Sequence, residues 1–261
     1  MTDLRIAHLS DIHFGDENAA AARAAIEFLT AAPPDLTIVS GDLTRFAEKP
    51  EFAAAAQWVA SLPQPRLVTP GNHDAPYLAW AERILAPFAR YQAAIGPPWS
   101  QAFRAPGLAV QGVNTARGAQ LRLNWSKGRI ERAQVARAVA ALSGADGLRV
   151  VVCHHPLVEL AEAPMTGRVR GGDAAARALA EARVDLVLSG HVHAPFALAY
   201  PFGDGRTYAV GAGTLSRRER GAPAGFNMIH ATRAAIDVAA LAWNGSSFET
   251  WRTWSLDRRA E

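Results

Sequence analysis

The chain has 261 residues, 49% hydrophobic and 20% charged, with a formal net charge of +3. A chain of this size buries roughly 70–75% of its unfolded surface, so folding needs neither a disulfide nor a structural metal, and the composition argues against disorder. No apolar stretch approaches the ~20 residues of a membrane span, and MTDLRIAHLS lacks the basic and apolar regions of a secretory signal. The single cysteine, Cys153, excludes an internal disulfide and a Cys-rich zinc site, and a cytoplasmic location is expected.

The chain opens with a run of alternating elements. Arg5–Ser10 reads as a buried strand, Glu17–Ala31 as a helix, Asp35–Ser40 as a strand, Phe52–Leu62 as a helix and Arg66–Thr69 as a strand ending at Pro70-Gly71. This βαβαβ rhythm implies a parallel sheet with helices on its faces. Tyr77–Ile95 is mostly helical, interrupted at Pro87. A hairpin over 101–105 and 108–115 turns at Pro106-Gly107. A helix over 130–142, a strand over Val150–Cys153, a helix over 173–182 and a strand over Val184–Leu188 follow. From Pro195 the chain is β-rich, with runs near 196–200, 207–211, 226–231, 235–243 and 247–254. No low-complexity linker appears, which favours one domain over residues 1–261, with the β-rich part from about 195 to 261 belonging to the second sheet.

The polar residues gather where strands end. These places hold Asp11-Ile12-His13, Gly41-Asp42, Gly71-Asn72-His73-Asp74, His154-His155 and Gly190-His191-Val192-His193. Six of the eight histidines lie in them. Ligands of open α/β sheets bind at the carboxyl ends of strands. Mixed imidazole and carboxylate donors suit Mn, Fe or Zn and fit a pure Ca or Mg cage poorly. The glycines before Asp42, Asn72 and His191 let the backbone turn sharply near an ion. Seven donors are too many for one ion with an open position, and suit two ions sharing a carboxylate and a bridging hydroxide. His8 and His230 fall outside the motifs, and Cys153 reads as a small core residue. The cluster Arg217-Arg218-Glu219-Arg220 reads as a solvated loop, the alternative being contact with an anionic substrate. No dedicated nucleic-acid stripe is evident.

The ordered set Asp11-x-His13, Gly41-Asp42, Gly71-Asn72-His73-Asp74, His154 and Gly190-His191-x-His193 resembles the calcineurin-like metallophosphoesterase superfamily, over residues 4 to about 215. The resemblance implies an α/β fold, a four-layer αββα sandwich of two mixed β-sheets flanked by helices. It implies two divalent or trivalent metal ions (Mn, Fe or Zn). Asp11, His13, Asp42 and His193 would hold the first, and Asp42, Asn72, His154 and His191 the second, with Asp42 bridging. His154 rather than His155 is the expected ligand because the family places it directly at the strand end; His155 would stand behind it or face substrate. His73 matches the family's non-ligand histidine, expected to protonate the leaving oxygen. Some members orient that histidine with an aspartate three residues after the bridging one. Here that position is Arg45, so either Asp74 orients His73 or His73 is less constrained, and Arg45 is a candidate phosphate contact.

The reaction implied is hydrolysis of a phosphoester by a hydroxide held between the two metals. Gly-Asp-Leu-Thr and Gly-Asn-His-Asp look most like the bacterial cyclic-nucleotide and glycerophosphodiester phosphodiesterase branch, which points to a phosphodiester. The alternatives are a phosphomonoesterase, a nuclease or a nucleotide-sugar-lipid pyrophosphatase on the same fold, although the last group typically has arginine where His73 stands. A non-catalytic scaffold fits poorly with a full set of ligand positions. Specificity is expected from rim loops at 15–18, 75–100, 115–128, 157–171 and 214–223, which carry Trp80, Trp99, Trp125 and Arg217.

Overall fold

In the computed structural model, which describes residues 3–99, 101–121, 124–159 and 168–259, the chain begins with β1 (Leu4–Leu9), α1 (Ala19–Ala31), β2 (Leu36–Val39), α2 (Lys49–Ser61) and β3 (Arg66–Val68). Part of the expected rim, residues 100, 122–123 and 160–167, lies outside the described residues. α1 starts at Ala19 rather than Glu17 because Asn18 caps it, its Oδ1 accepting from the Ala21 N–H at 3.2 Å. α2 starts a turn before Phe52, since Glu48 and Glu51 form a reciprocal capping box and Pro50 sits in the first turn.

The stretch around Pro87 splits into α3 (Trp80–Leu85) and α4 (Ala89–Ala94). β4 (Ala102–Ala105) and β5 (Leu108–Gly112) form the expected hairpin. α5 (Arg132–Leu142), β6 (Leu148–Val152), α6 (Gly172–Glu181) and β7 (Leu186–Ser189) continue the alternation. The chain closes with β8 (Phe196–Ala199), β9 (Tyr208–Gly211), β10 (Gly225–Ala231), β11 (Ala235–Trp243) and β12 (Phe248–Asp257).

The strands form two six-stranded mixed sheets, ordered β12-β11-β10-β1-β2-β3 and β4-β5-β6-β7-β9-β8. This corrects the placement of the C-terminal strands. Only β8 and β9 join the second sheet; β10 pairs antiparallel with β1 and carries β11 and β12 into the first. The reason lies in β10 itself. Phe226 faces the helix side of the first sheet while Ile229 and Ala231 face the other sheet, so β10 is buried on both faces and fits beside β1. Alternation reveals a strand but not its partner, which is a long-range choice.

Period-two alternation also sets the layers. Leu4 and Ile6 of β1 share one core with Leu36 and Ile38 of β2 and with Leu148, Val150 and Val152 of β6. That core lies between the sheets. Ala7, Leu9 and Val39 face a second core with Leu29 of α1 and Phe52, Ala55 and Val59 of α2. Val151 and Val187 face a third, with Val135 of α5 and Leu179 of α6. Three cores separating helix, sheet, sheet and helix make the αββα sandwich. Trp243 and Trp254 pack partly buried against two of them, whereas Trp251 is 44% exposed. Among the described residues no helix is long and apolar enough to cross a membrane.

The last residues described are clamped to the far end of the second sheet. The buried Arg259 guanidinium donates to Asp185 Oδ1 at 2.9 Å, to both Asp204 oxygens at 2.8 and 2.9 Å and to Thr207 Oγ1 at 3.0 Å. Removing the cation would leave the buried Asp185 carboxylate uncompensated. Arg259→Met is therefore expected to cost about 3 kcal/mol, the scale of breaking a buried ion pair. Urea denaturation checks this.

Candidate metal centre

The carboxyl ends of β1, β2, β3, β6 and β7 meet at one rim, because the two sheets pack with these parallel strands side by side. Past the strand ends the chain keeps pairing. Asp11 N–H donates to the Gly41 carbonyl at 2.9 Å, His13 N–H to Asp42 at 3.1 Å and Phe14 N–H to Leu43 at 2.8 Å. Asp11, His13, Asp42, His191 and His193 all have positive φ, between 51° and 69°. Left-handed backbone at non-glycine residues is uncommon, and clustering of this kind marks functional sites. It alternates the side chains so that i and i+2 point inward together.

The glycines act differently from expectation. Only Gly41 among the three has positive φ, at 101°. Gly71 and Gly190 are needed for close approach: a Cβ at Gly71 would strike the Asp42 carboxylate, and one at Gly190 would strike Ser10 and Asp11.

The first donor group comprises Asp11, His13, His193 and Asp42. Asp11 Oδ1 lies 3.1 Å from His193 Nε2 and 3.6 Å from His13 Nε2. The two Nε2 atoms are 3.2 Å apart, and His13 Nε2 is 3.7 Å from Asp42 Oδ2. Donors ~2.0–2.2 Å from one ion stand roughly 3.0–3.5 Å from each other, so these spacings match a shared metal. In the second group, Asp42 Oδ2 is 3.2 Å from His154 Nε2. Asp42 Oδ1 is occupied by the His73 N–H at 2.8 Å, which leaves Oδ2 between the two groups. The His191 ring packs 5.2 Å from that of His154.

Hydrogen bonding shows which atoms are free to bind an ion. Carbonyls can only accept, so they fix the proton on Nδ1 of His13 (Thr44 O, 3.2 Å), His154 (Ser40 O, 2.8 Å) and His193 (Arg218 O, 2.6 Å). Each Nε2 then faces inward as the atom left to bind an ion once it is unprotonated, with Nδ1–H held by a carbonyl as is usual for ligating histidines. Asp11 Oδ1, Asn72 Oδ1 and His154 Nε2 are buried without a hydrogen-bond partner. Such orphaned acceptors are costly unless a cation completes them, so the residues present fit two metal ions. Burial pushes the Asp42 carboxyl up, but the His154, His73 and His13 imidazoles outweigh it and hold Asp42 well below the carboxylate range. Burial pushes His154 down, but Asp42 and Asp11 overcome it and raise His154 to about 9.

His155 lies against His154 and His191, yet both its nitrogens are taken, Nδ1 by Thr115 Oγ1 and Nε2 by Ser126 O, each at 2.8 Å. It is a support for the second group and cannot ligate without breaking a bond. His73 stands beside His13 and Asp42. Its Nδ1–H donates to the Arg45 carbonyl at 2.6 Å, and the Arg218 Nη1 lies 3.3 Å from its Nε2. A guanidinium at that distance opposes a metal ion there. Burial holds the His73 imidazolium down to about 4, with Asp42 opposing.

Asp74 and Arg45 both make contacts of their own. Asp74 does not orient His73. Its carboxylate accepts from the backbone of Gly71, Leu43 and Thr44 and from the Thr44 hydroxyl, at 2.8–3.2 Å, and so ties the Asn72 turn to the Asp42 turn. Position 45 holds His73 through its carbonyl, while the Arg45 guanidinium lies 4.7 Å over the Phe46 ring, so no Arg45 contact with the donor groups is seen. Arg218, read from the sequence first as part of a solvated loop, instead touches His193 by its carbonyl and His73 by its guanidinium. Its signal is positional: it follows β9, a sixth strand ending at the same rim, and Thr214 in that loop donates to the Asp11 carbonyl at 2.6 Å.

The αββα sandwich thus carries two such donor groups at one rim. A model of the calcineurin-like phosphoesterase family matches residues 4–195, and the chain belongs to that family, whose reaction is metal-dependent hydrolysis of phosphoric esters. A search of curated proteins returns no significant match. Among solved structures, a dimetal phosphatase from Danio rerio is similar with a TM-score of 0.70 and 12% identity, over 97% of this chain and 98% of that one. Purple acid phosphatase from yellow lupin (Lupinus luteus) seeds gives 0.68 and 12% over 98% of this chain, which spans only 54% of the lupin chain. GAP50, the anchor in the inner membrane complex of Plasmodium, gives 0.62 and 14%, over 100% and 91%. At such identities these likenesses show the fold.

A metal ion needs neutral His154, and in the metal-free protein His154 is raised to about 9. Metal binding at pH 7.5 is therefore expected to release a proton, and affinity is expected to rise with pH until about 9. Calorimetric titration in two buffers of different ionisation enthalpy reads the release, which His154→Asn should abolish.

Proposed function

We propose that the protein hydrolyses phosphodiesters. Asp11, His13, Asp42 and His193 would hold one metal ion, and Asp42, Asn72, His154 and His191 the other. The observation that carries this reading is the placement of Asp42 Oδ2 between the two groups of inward-facing, unpartnered donors. The ions, Mn, Fe or Zn by donor chemistry, would supply Lewis-acid activation of the phosphoryl group and of the attacking water.

The chain's own residues do the rest. The Arg218 guanidinium, beside His73, offers paired N–H donors to a phosphoryl oxygen. The Arg45 carbonyl holds His73 Nδ1–H, so His73 Nε2 is the atom aimed at the substrate. An anion that engages Arg218 draws its Nη1 from Nε2 and favours the imidazolium against the burial that disfavours it. His73 then carries a proton at Nε2 and gives it to the departing oxygen. This matters most for an alkoxide leaving group, in a monoester or a diester alike; what supports the diester is the likeness of Gly41-Asp42-Leu43-Thr44 and Gly71-Asn72-His73-Asp74 to the phosphodiesterase branch of the family.

Chelation is expected to abolish activity, and Mn to restore it better than Ca. Screening phosphomonoesters and phosphodiesters on the Mn-loaded enzyme tests the class; turnover of monoesters alone would overturn the diester reading. His73→Ala is expected to keep its metals and lose ~10²–10⁴-fold in rate on an alkyl diester, with a much smaller loss on an aryl diester, whose leaving group needs no proton. Equal losses on both would contradict the acid role, as measured on one preparation of known metal content.

A further inference from the structure

Apolar side chains stand out from the rim beside the metal centre. Leu78, Trp80, Ile84, Leu85 and Leu121 range from 55% exposed at Ile84 to fully exposed at Leu121. α3 is the centre of this patch, and it is turned the wrong way for a helix of a globular protein. Its one buried residue is Arg83, while Trp80, Ile84 and Leu85 face water. An amphipathic helix normally does the reverse. The Arg83 guanidinium holds it so, donating to the carbonyls of Ala75, Pro76 and Gly118 at 2.8–3.0 Å.

The patch borders the centre and is continuous with charged rim. Trp80 meets Trp125 at 5.5 Å over a cleft of about 870 Å³, whose wall includes Tyr77. The Tyr77 ring stacks on the His73 imidazole, centroids 5.1 Å apart and planes 17° from parallel. On the other side Leu121 shares a shallow hollow with Arg168 and Arg170. Residues 15–18, 75–100, 115–128, 157–171 and 214–223 hold ten Lys and Arg against six Asp and Glu, a net +4, more than the +3 of the whole chain. Glu82 and Asp173, beside the patch, are already paired with Arg90 and Arg168. Lys127, Arg170, Arg217 and Arg220 form no ion pair among the described residues.

We infer that this face docks on the surface of a bilayer containing anionic phospholipid. The leucine and indole tips enter the interface, and the unpaired cations meet the headgroup phosphates. Protruding apolar tips ringed by Lys and Arg are what such a surface takes from a protein that does not span it. Tryptophan suits the same depth, since its ring is apolar and its N–H polar. A second copy of the chain fits this face worse, because a two-fold contact would set these cations against each other. Nucleic acid would satisfy the cations but leave Leu78, Leu85 and Leu121 in water. The docking is independent of which phosphoester the centre hydrolyses.

The test is sedimentation of the metal-loaded protein with vesicles of phosphatidylcholine alone, and of phosphatidylcholine with an equal part of phosphatidylglycerol. Binding to the mixed vesicles is expected to be at least ~10-fold tighter and to weaken as salt rises. Leu85→Ser and Leu121→Ser should each weaken it roughly 10-fold, the order of one leucine side chain left in water, with metal content and circular dichroism unchanged. Lys127→Gln with Arg170→Gln should weaken binding to the mixed vesicles and leave binding to phosphatidylcholine alone as it was. Absence of vesicle binding, equal affinity for the two compositions, or serine variants that bind like the wild type would overturn the inference. So would self-association abolished by Leu85→Ser, or binding of a single-stranded oligonucleotide, in a protein that leaves vesicles in the supernatant unbound.

Discussion

The centre depends on one buried carboxylate. Asp42 is 1% exposed, and its Oδ2 stands 3.2 Å from His154 and 3.7 Å from His13. A lone carboxylate in that position would protonate instead of remaining charged. Here the imidazoles around it hold it ionised, and the His73 N–H fixes its other oxygen. Asp74, on the turn beside it, spends its own oxygens on backbone N–H groups of both turns. Burial and the charge of Asp42 together raise the Asp74 carboxyl to about 6 against those bonds, so the two acids divide the work: one charged and open, one consumed in holding the other in place.

Keeping five donor residues at positive φ costs roughly 1 kcal/mol or more each, less where Asp and His tolerate that conformation best. The surrounding structure determines the conformation in compensation. The two turns continue a parallel ladder beyond β1 and β2, the His191 N–H donates to Asp11 Oδ2 at 2.8 Å, and the Thr214 hydroxyl closes the Asp11 carbonyl. The sandwich supplies the rigidity, since both sheets are buried on both faces near the rim. Strain is thus concentrated where the donors converge.

Much of this was legible in the sequence because it is local. Leu4, Ile6, Ala7 and Leu9 show their alternation within six residues, and Asp11 and His13 follow their own strand directly. What was not legible depends on contacts between distant segments. The partner of β10 is β1, more than two hundred residues away in the chain. His154 and His155 are neighbours in sequence, and only Thr115 and Ser126 reveal that the second ring is fully bonded. Arg45 and Arg218 look alike as surface arginines; a carbonyl of the first and a guanidinium of the second meet at His73. Tyr77 carries no sequence signal beyond a helical stretch, yet it links the centre to the cleft.

The fold alone does not decide activity, since phosphatases and a membrane-complex anchor share it. The proposed reaction requires Asp42 to serve two ions at once. Elemental analysis of the purified protein and its Asp42→Asn variant, after equilibration with Mn, tests this most directly. Two ions per chain are predicted for the wild type and fewer than one for the variant, because one charge is removed from both sites. A wild type holding a single ion, or a variant that retains one ion per chain undiminished, would contradict it.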